Sequence, residues 1–239
     1  MELASVDRTT DSPLGGKGSA AAVKAANRQP MDAIVRIADL IAAIALLVLL
    51  SPLLAAIAIA IRVDSRGSPI FRQRRCGRGV KEFTVLKFRT MRCETAADPH
   101  RAYVLGVIGG EGPDDRAAEG DGLQKLENDD RITAVGAFLR RFSLDELPQL
   151  WNVLRGQMTL VGPRPPIPYE VERYPPRWLE RLSVKPGLTG LWQVSGRNEL
   201  DYREMVELDL EYVQRRSLWL NATILARTVK VVLTGRGAV

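Results

Sequence analysis

The sequence predicts a mostly helical, mixed α/β fold: a membrane-type helix–break–helix element followed by a small α/β domain bearing surface amphipathic helices. Three observations lead there. Residues 40–61 are 22 consecutive residues without a charge. The stretch "KEFTVLKFRTM" reads as a short strand. From Arg131 onward the pattern turns largely helical, interrupted only by "VGPRPPIP" and "VKPGLTG". The expected division is a disordered basic arm over 1–30, a membrane helix over 31–62 and a folded domain over 63–239.

The apolar run comes first because it decides the setting. About 20 apolar residues span a bilayer, so this one is long enough to cross. Ser51-Pro52 interrupts it, however. Pro52 cannot donate to the carbonyl four residues back and its ring clashes there, so the helix bends. The Ser51 hydroxyl can satisfy a freed carbonyl and let such a break persist in lipid. Each half then reaches roughly 14–17 Å, about one leaflet. Both flanks are basic: Lys24, Arg28 and Arg36 precede the run, and Arg62, Arg66, Arg72, Arg74, Arg75, Arg78 and Lys81 follow it. A single crossing puts one basic flank on the disfavoured side, whereas a bent helix returning to its own face does not. Kinked spans exist too, so the residues alone leave span and hairpin both open. A cleaved signal peptide does not fit, because the segment before the apolar run is too long.

Composition narrows the chemistry. The chain has 239 residues, 46% hydrophobic and 26% charged, with a net charge of +6. The basic excess points to anionic partners such as phospholipid surfaces, phosphorylated substrates or nucleic acid. Aromatic residues are not interleaved with the basic clusters as a stacking platform requires, so nucleic acid is not expected. Cys76 and Cys93 fit neither a zinc site nor a disulfide framework, which suits a reducing compartment. With His100 as the sole histidine, carboxylates, Arg and Lys must carry any catalysis.

The next element after the strand region is a turn-rich loop, "GGEGPDDRAAEGDG". Beyond it, "RRFSLDELPQLWNVLRG" places Asp145 and Glu146 side by side. Ser143 followed by Glu146 also matches a helix capping box, in which case these acids do no more than start a helix. Their context argues further: Arg140, Arg141, Arg155 and Arg164 surround them in sequence, with Lys87 and Arg89 upstream. That many cations suit a polyanion such as a diphosphate with a divalent metal. Adjacent carboxylates can divide metal ligation from nucleophilic or base chemistry, and neither role needs histidine.

"VGPRPP" is a proline-stiffened turn that presents Arg164. "KPGLTG", beginning at Lys185 and Pro186, is a glycine turn that binds a phosphate or base edge, or simply turns. "LWQVSGRN" places Gln193, Arg197 and Asn198 beside it, as a polar binding strip or a short edge strand. Trp151, Trp178, Trp192 and Trp219 all lie beyond residue 150, and suit core packing more than interfacial anchoring. The last segment, "SLWLNATILARTVKVVL", has helical spacing that fits either a membrane surface or the domain core.

Together these pieces resemble the bacterial sugar transferases, the monotopic phosphoglycosyl transferases. The matching pieces are the Ser51-Pro52-interrupted run, "GSPIFRQRRCG", "KFRTM", "NDDRITAVGAFLRR", "SLDELPQLWNVLRGQMTLVGPRP", "VKPGLTGLWQVSGRN" and "SLWLNATILARTVKVVLTGRGA". They recur in order over about residues 31–239. The resemblance implies transfer of a sugar 1-phosphate, here a hexose 1-phosphate, from a UDP-sugar to polyprenyl (undecaprenyl) phosphate. It implies a covalent aspartyl-phosphosugar intermediate on Asp145 with release of UMP, and Mg²⁺ held by Asp145 and Glu146. The product initiates exopolysaccharide or glycoconjugate assembly. The setting implied is the cytoplasmic leaflet of the bacterial inner membrane, with a re-entrant helix broken at Ser51-Pro52 and a cytosolic catalytic domain. Arg140, Arg164, Lys87, Arg89 and Arg197 are expected to bind substrate phosphate, and Lys185, Pro186 and Gln193 the nucleotide or sugar. Opposite charges around Asp145 are expected to keep it ionised. Asn221 departs from the Asp that many relatives carry there. The sugar and the oligomeric state, a homodimer among the options, are left open. An Asp145 general base without a covalent intermediate is the competing mechanism, and a non-enzymatic membrane scaffold the competing class.

Overall fold

The structure is a computed structural model that describes residues 31–92, 106–108 and 131–235. The basic arm over 1–30, His100, Cys93 and most of the turn-rich loop lie outside the described residues.

Helix α1 (Met31–Asp64) is one unbroken helical run of 34 residues through Pro52, about 51 Å if straight. Separate helical halves were expected. The run continues because Pro52 removes only one hydrogen bond, and Ser51 Oγ donates to the Val48 carbonyl at 2.8 Å within the same turn. Its middle is bare: Ile41, Ile44, Val48 and Leu49 are each more than half exposed. By length and composition it is the one helix among the described residues suited to crossing a bilayer. An apolar surface of this extent in water is rare in a monomeric soluble protein.

Both ends of α1 are fastened to the same domain. Near its start, Val35, Asp39 and Ala43 are buried at four-residue spacing, one helical face. The Asp39 side chain accepts from Thr159 Oγ1 at 2.6 Å and from the Leu160 backbone N–H at 3.1 Å. Arg36 donates to the carbonyls of Val153 and Leu154 at 2.5 and 2.8 Å. At the other end Ile57 and Ile61 pack with Phe88 and Leu139. There Arg89 donates to the carbonyls of Ser65 and Arg66 at 2.7 and 2.9 Å.

The domain follows from short elements. Strands β1 (Ile70–Cys76) and β2 (Glu82–Phe88) form an antiparallel hairpin with Ile70 opposite Phe88 and Cys76 opposite Glu82. Helix α2 (Ala134–Arg141) is capped by Thr133, whose side chain accepts from the Gly136 N–H. A 3₁₀ segment (Leu144–Gln149) leads into α3 (Leu150–Leu154). Strand β3 (Thr159–Val161) pairs in parallel with β4 (Gly187–Thr189). Between them lie α4 (Pro168–Val171) and a 3₁₀ segment (Pro176–Ser183). Two short 3₁₀ turns (Trp192–Val194 and Arg197–Glu199) precede α5 (Tyr202–Arg215) and α6 (Leu218–Thr234).

The main core joins Ala43 of α1 to Val85, Leu150, Val153, Met158, Tyr212 and Ile224. Helix α6 packs on the core by one face and leaves apolar residues exposed on another. Ile224 and Asn221 face the core, while Trp219, Val229 and Leu233 are 81%, 60% and 74% exposed on the same helix. Asn221 Oδ1 accepts from the Tyr212 hydroxyl at 2.9 Å, a bond that needs only a side-chain oxygen, so Asn in place of Asp leaves it intact.

Since Asp39 holds two donors in a buried position, Asp39→Ala is expected to cost about 3 kcal/mol of stability. Chemical unfolding of the detergent-solubilised chain checks it, and a loss below about 1 kcal/mol would remove Asp39 from the fastening.

Candidate active site

Asp145 and Glu146 sit in the 3₁₀ segment between α2 and α3, and the capping-box reading fails. Ser143 takes a left-handed backbone conformation, φ 53°, and makes no side-chain cap. A capping residue needs extended geometry to aim its oxygen at the following N–H groups. Instead the Ser143 hydroxyl accepts from the Arg197 guanidinium. The two carboxylates are thereby turned toward a cavity of about 320 Å³ rather than toward a helix axis.

Asn152, a residue sequence reading did not single out, fixes this segment against β2. It is completely buried. Its Oδ1 accepts from the Leu86 N–H at 3.1 Å, and its Nδ2 donates to the Thr84 carbonyl at 2.7 Å. The strand thus held delivers Lys87, whose Nζ donates to Glu146 Oε1 at 2.7 Å. Arg164 of the proline turn donates to the same oxygen at 3.1 Å. The Arg164 backbone is pinned in turn: Arg181 donates to its carbonyl at 3.1 Å and forms a fully buried ion pair with Asp209. Burial alone would lower the Arg181 pKa, but the Asp209 carboxylate outweighs it and holds the guanidinium above its ordinary value.

The electrostatics separate the two carboxylates. Burial would raise Glu146, but Lys87 and Arg164 together bring it down to about 2. Asp145 goes the other way. Burial pushes it above its ordinary value, and the neighbouring Glu146 adds to this against the pull of Lys87 and Arg140. Burial thus works against the surrounding cations at Asp145, and of these influences desolvation is the largest. Lys87 is lowered, chiefly by burial.

Of the predicted phosphate binders, Lys87, Arg140, Arg164 and Arg197 line the cavity. Arg140 Nε also donates to Thr90 Oγ1 at 3.0 Å. Gly136 lets α2 approach closely enough for this, since a Cβ there would lie 2.1 Å from the Thr90 carbonyl oxygen. Gln193 lines the cavity as well, whereas Lys185 and Pro186 do not. The β3–β4 pairing directs Lys185 to the start of α1, beside Arg36, and the Pro186 carbonyl is taken by the Thr159 N–H. Arg89 also lies elsewhere, as the fastening of α1. Arg75 was missed as a site residue. It lines the cavity and donates to the Pro165 carbonyl at 2.9 Å, and burial lowers it to about 10. Its position in a strand, one residue out of step with a purely exposed basic run, was the available signal.

The arrangement is a cationic, anion-receiving cavity with two carboxylates in its wall, joined to an apolar helix of membrane length. A family model described as bacterial sugar transferase matches residues 31–235, and the chain belongs to that family. It is 46% identical over 200 residues to the UDP-galactose-lipid carrier transferase of Erwinia amylovora, across 84% of this chain and 40% of that protein. It is 40% identical over 200 residues to the exopolysaccharide production protein ExoY of Rhizobium meliloti, across 84% and 85%. Identity is also 40% over 216 residues to the UDP-glucose:undecaprenyl-phosphate glucose-1-phosphate transferase of Caulobacter vibrioides, across 87% and 72%. The chain thus spans 40% of the first relative and 85% of ExoY.

Glu146 contributes stability through its depressed pKa, and the sign is fixed. The contribution is present above the ordinary value of 4.5 and lost as pH falls toward about 2. It is on the order of 3 kcal/mol. Melting temperatures from pH 5 to pH 2 should fall more steeply for the unmodified chain than for Glu146→Gln. Parallel curves would show that Glu146 is not held by its cations.

Proposed function

We propose that this chain transfers a sugar 1-phosphate from a UDP-sugar to polyprenyl phosphate, initiating exopolysaccharide or glycoconjugate assembly. The carrying observation is that Asp145 and Glu146 share one cavity wall with Lys87, Arg140, Arg164 and Arg197, in a family whose matched relatives carry UDP-sugar and undecaprenyl-phosphate names. A diphosphate brings the negative charge those cations lack, and a bidentate or paired guanidinium is well suited to hold it.

In the first step an Asp145 carboxylate oxygen attacks the β-phosphorus of the donor. The bond from that phosphorus to the bridging oxygen breaks, UMP leaves with the electron pair, and an aspartyl-phosphosugar remains. In the second step a phosphate oxygen of the polyprenyl phosphate attacks the same phosphorus and returns Asp145 to a carboxylate. Glu146, already neutralised by Lys87 and Arg164, keeps those two cations fixed rather than collapsing onto Asp145. The cations stabilise charge on the departing phosphate without reorganising.

Among the described residues no cluster of three or more potential ligands forms a metal cage. Mg²⁺ commonly needs only one or two carboxylates, completing its shell with substrate phosphates and water, so Asp145 and Glu146 fit it. Bound there, it would supply positive charge that favours the ionised form of Asp145 and neutralises the diphosphate.

The setting proposed is the cytoplasmic face of the bacterial inner membrane, with α1 entering and leaving the same leaflet. Two facts support it: both helix ends are fastened to one domain, and both flanks are basic. The exposed Trp219, Val229 and Leu233 of α6 supply a second apolar contact with the same surface.

Incubation with donor alone tests the covalent route. UMP should appear stoichiometrically with enzyme, a phosphosugar adduct should be found on Asp145 by mass spectrometry, and Asp145→Asn should lower turnover at least about 10³-fold. Turnover that requires both substrates, with no adduct and no UMP from donor alone, would replace this route with general-base catalysis.

A further inference from the structure

Two consecutive residues of the cavity wall, Trp192 and Gln193, each carry a buried polar atom with no hydrogen-bond partner among the described residues, as Arg181 Nε does elsewhere in the lining. Trp192 is 7% exposed and its indole N–H lacks a hydrogen-bond partner; the buried Oε1 of Gln193, next in sequence, lacks one too. The Gln193 amide is oriented by its other end, where Nε2 donates to the Leu188 carbonyl at 3.2 Å. Gly190 leaves the room that Oε1 occupies, since a Cβ there would lie 2.8 Å from it. An unmade hydrogen bond at a buried polar atom costs about 1–3 kcal/mol, and such atoms are uncommon. A donor and an acceptor orphaned on consecutive residues of one cavity wall therefore mark a place where a ligand brings the partners.

Position identifies which part of the ligand. The Arg164 guanidinium carbon lies 5.8 Å from the Trp192 ring centre, and its Nη1 is 3.1 Å from Glu146. One guanidinium thus lies between the Trp192 ring and Glu146. In a nucleotide diphosphate sugar the group bonded directly to the attacked phosphorus is the sugar, whereas the base lies beyond a second phosphate and a ribose. A hydroxyl both donates and accepts, so two neighbouring ring hydroxyls satisfy both atoms together. Met205 and Val206 supply apolar wall in the same cavity, suited to the C–H face of a pyranose.

We infer that Trp192 and Gln193 form the sugar subsite, with the Trp192 N–H donating to one ring hydroxyl and Gln193 Oε1 accepting from its neighbour. This rests on the proposed transfer from a UDP-sugar and adds the residues that read the sugar. A donor lacking either hydroxyl leaves a buried group unpaired, which is the strong form of discrimination available to a binding site.

The test uses the full chain in nanodiscs, carrying Asp145→Asn so that nothing turns over. Affinities for UDP-glucose, UDP-galactose and UDP are measured by calorimetry before and after adding Trp192→Phe or Gln193→Leu. Each added substitution should weaken the better-bound UDP-sugar about tenfold and leave UDP unchanged. Equal weakening of UDP and UDP-sugar would overturn the assignment, as would no weakening of either. Should the variants not fold, monodeoxy UDP-hexoses on the Asp145→Asn chain decide. One or two adjacent positions should cost about tenfold, and equal affinity for every monodeoxy donor would overturn the subsite. Failure of the underlying function looks different: no binding of UDP or of either UDP-sugar, and no UMP released by the chain with Asp145 intact.

Discussion

The fastening of both ends of one apolar helix to one small domain is the constraint on which the rest of the structure depends. Arg36 and Asp39 hold the first half of α1 to α3 and β3, and Arg89 holds the two residues that follow its last turn. Each fastening is one short step from the site. Arg89 lies two residues beyond Lys87 on the chain leaving β2, and Arg36 ends on the carbonyls of α3, which directly follows the carboxylates. The elements that bind the helix therefore also set the distance between Lys87 and Glu146. The apolar helix and the charged cavity thus form one mechanical unit, joined without a flexible linker.

Within that frame, the cavity is a balance of buried charge. Burial disfavours the ionised forms of Lys87, Arg75 and Asp145, lowering the first two and raising the third. The penalty is tolerable for Glu146 because two cations share its Oε1. Beneath it the Arg181–Asp209 pair holds the Arg164 backbone. A buried ion pair is poor value for stability compared with apolar packing, and its place under the cavity suits aiming Arg164 better than strengthening the core. Positive side chains outnumber negative ones in the cavity lining: Arg75, Lys87, Arg140, Arg164, Arg181 and Arg197 against Asp145, Glu146 and Glu170.

Much of this was legible in the residues, for identifiable reasons. The apolar run, the β2 strand and the Arg-rich surroundings of Asp145 are local patterns, visible in a window of a few residues. What depends on distant backbone was not. Ser143 and Glu146 spell a capping box, yet the left-handed Ser143 and its contact with Arg197, 54 residues away, override it. The family resemblance implied phosphate binding for Arg89 and nucleotide or sugar binding for Lys185. Strand pairing instead turned Lys185 to α1, and the end of α1 claimed Arg89. Asn152 and Arg181 gave no local signal at all, since their importance lies in carbonyls and amides contributed by other segments. Pro52 was read as a break, whereas the helical run passes through it with Ser51 taking up a carbonyl of the preceding turn.

The central claim is that one face of the membrane holds both ends of α1. Its most direct measurement is the location of two reporters in living cells, one before residue 31 and one after residue 235 of the full chain. Protease accessibility in inside-out and right-side-out vesicles reads their sides. Both reporters on the cytoplasmic side is the result the fastening predicts. Reporters on opposite sides would contradict it, because a straight crossing cannot keep Arg36 on α3 and Arg89 on Ser65 at once.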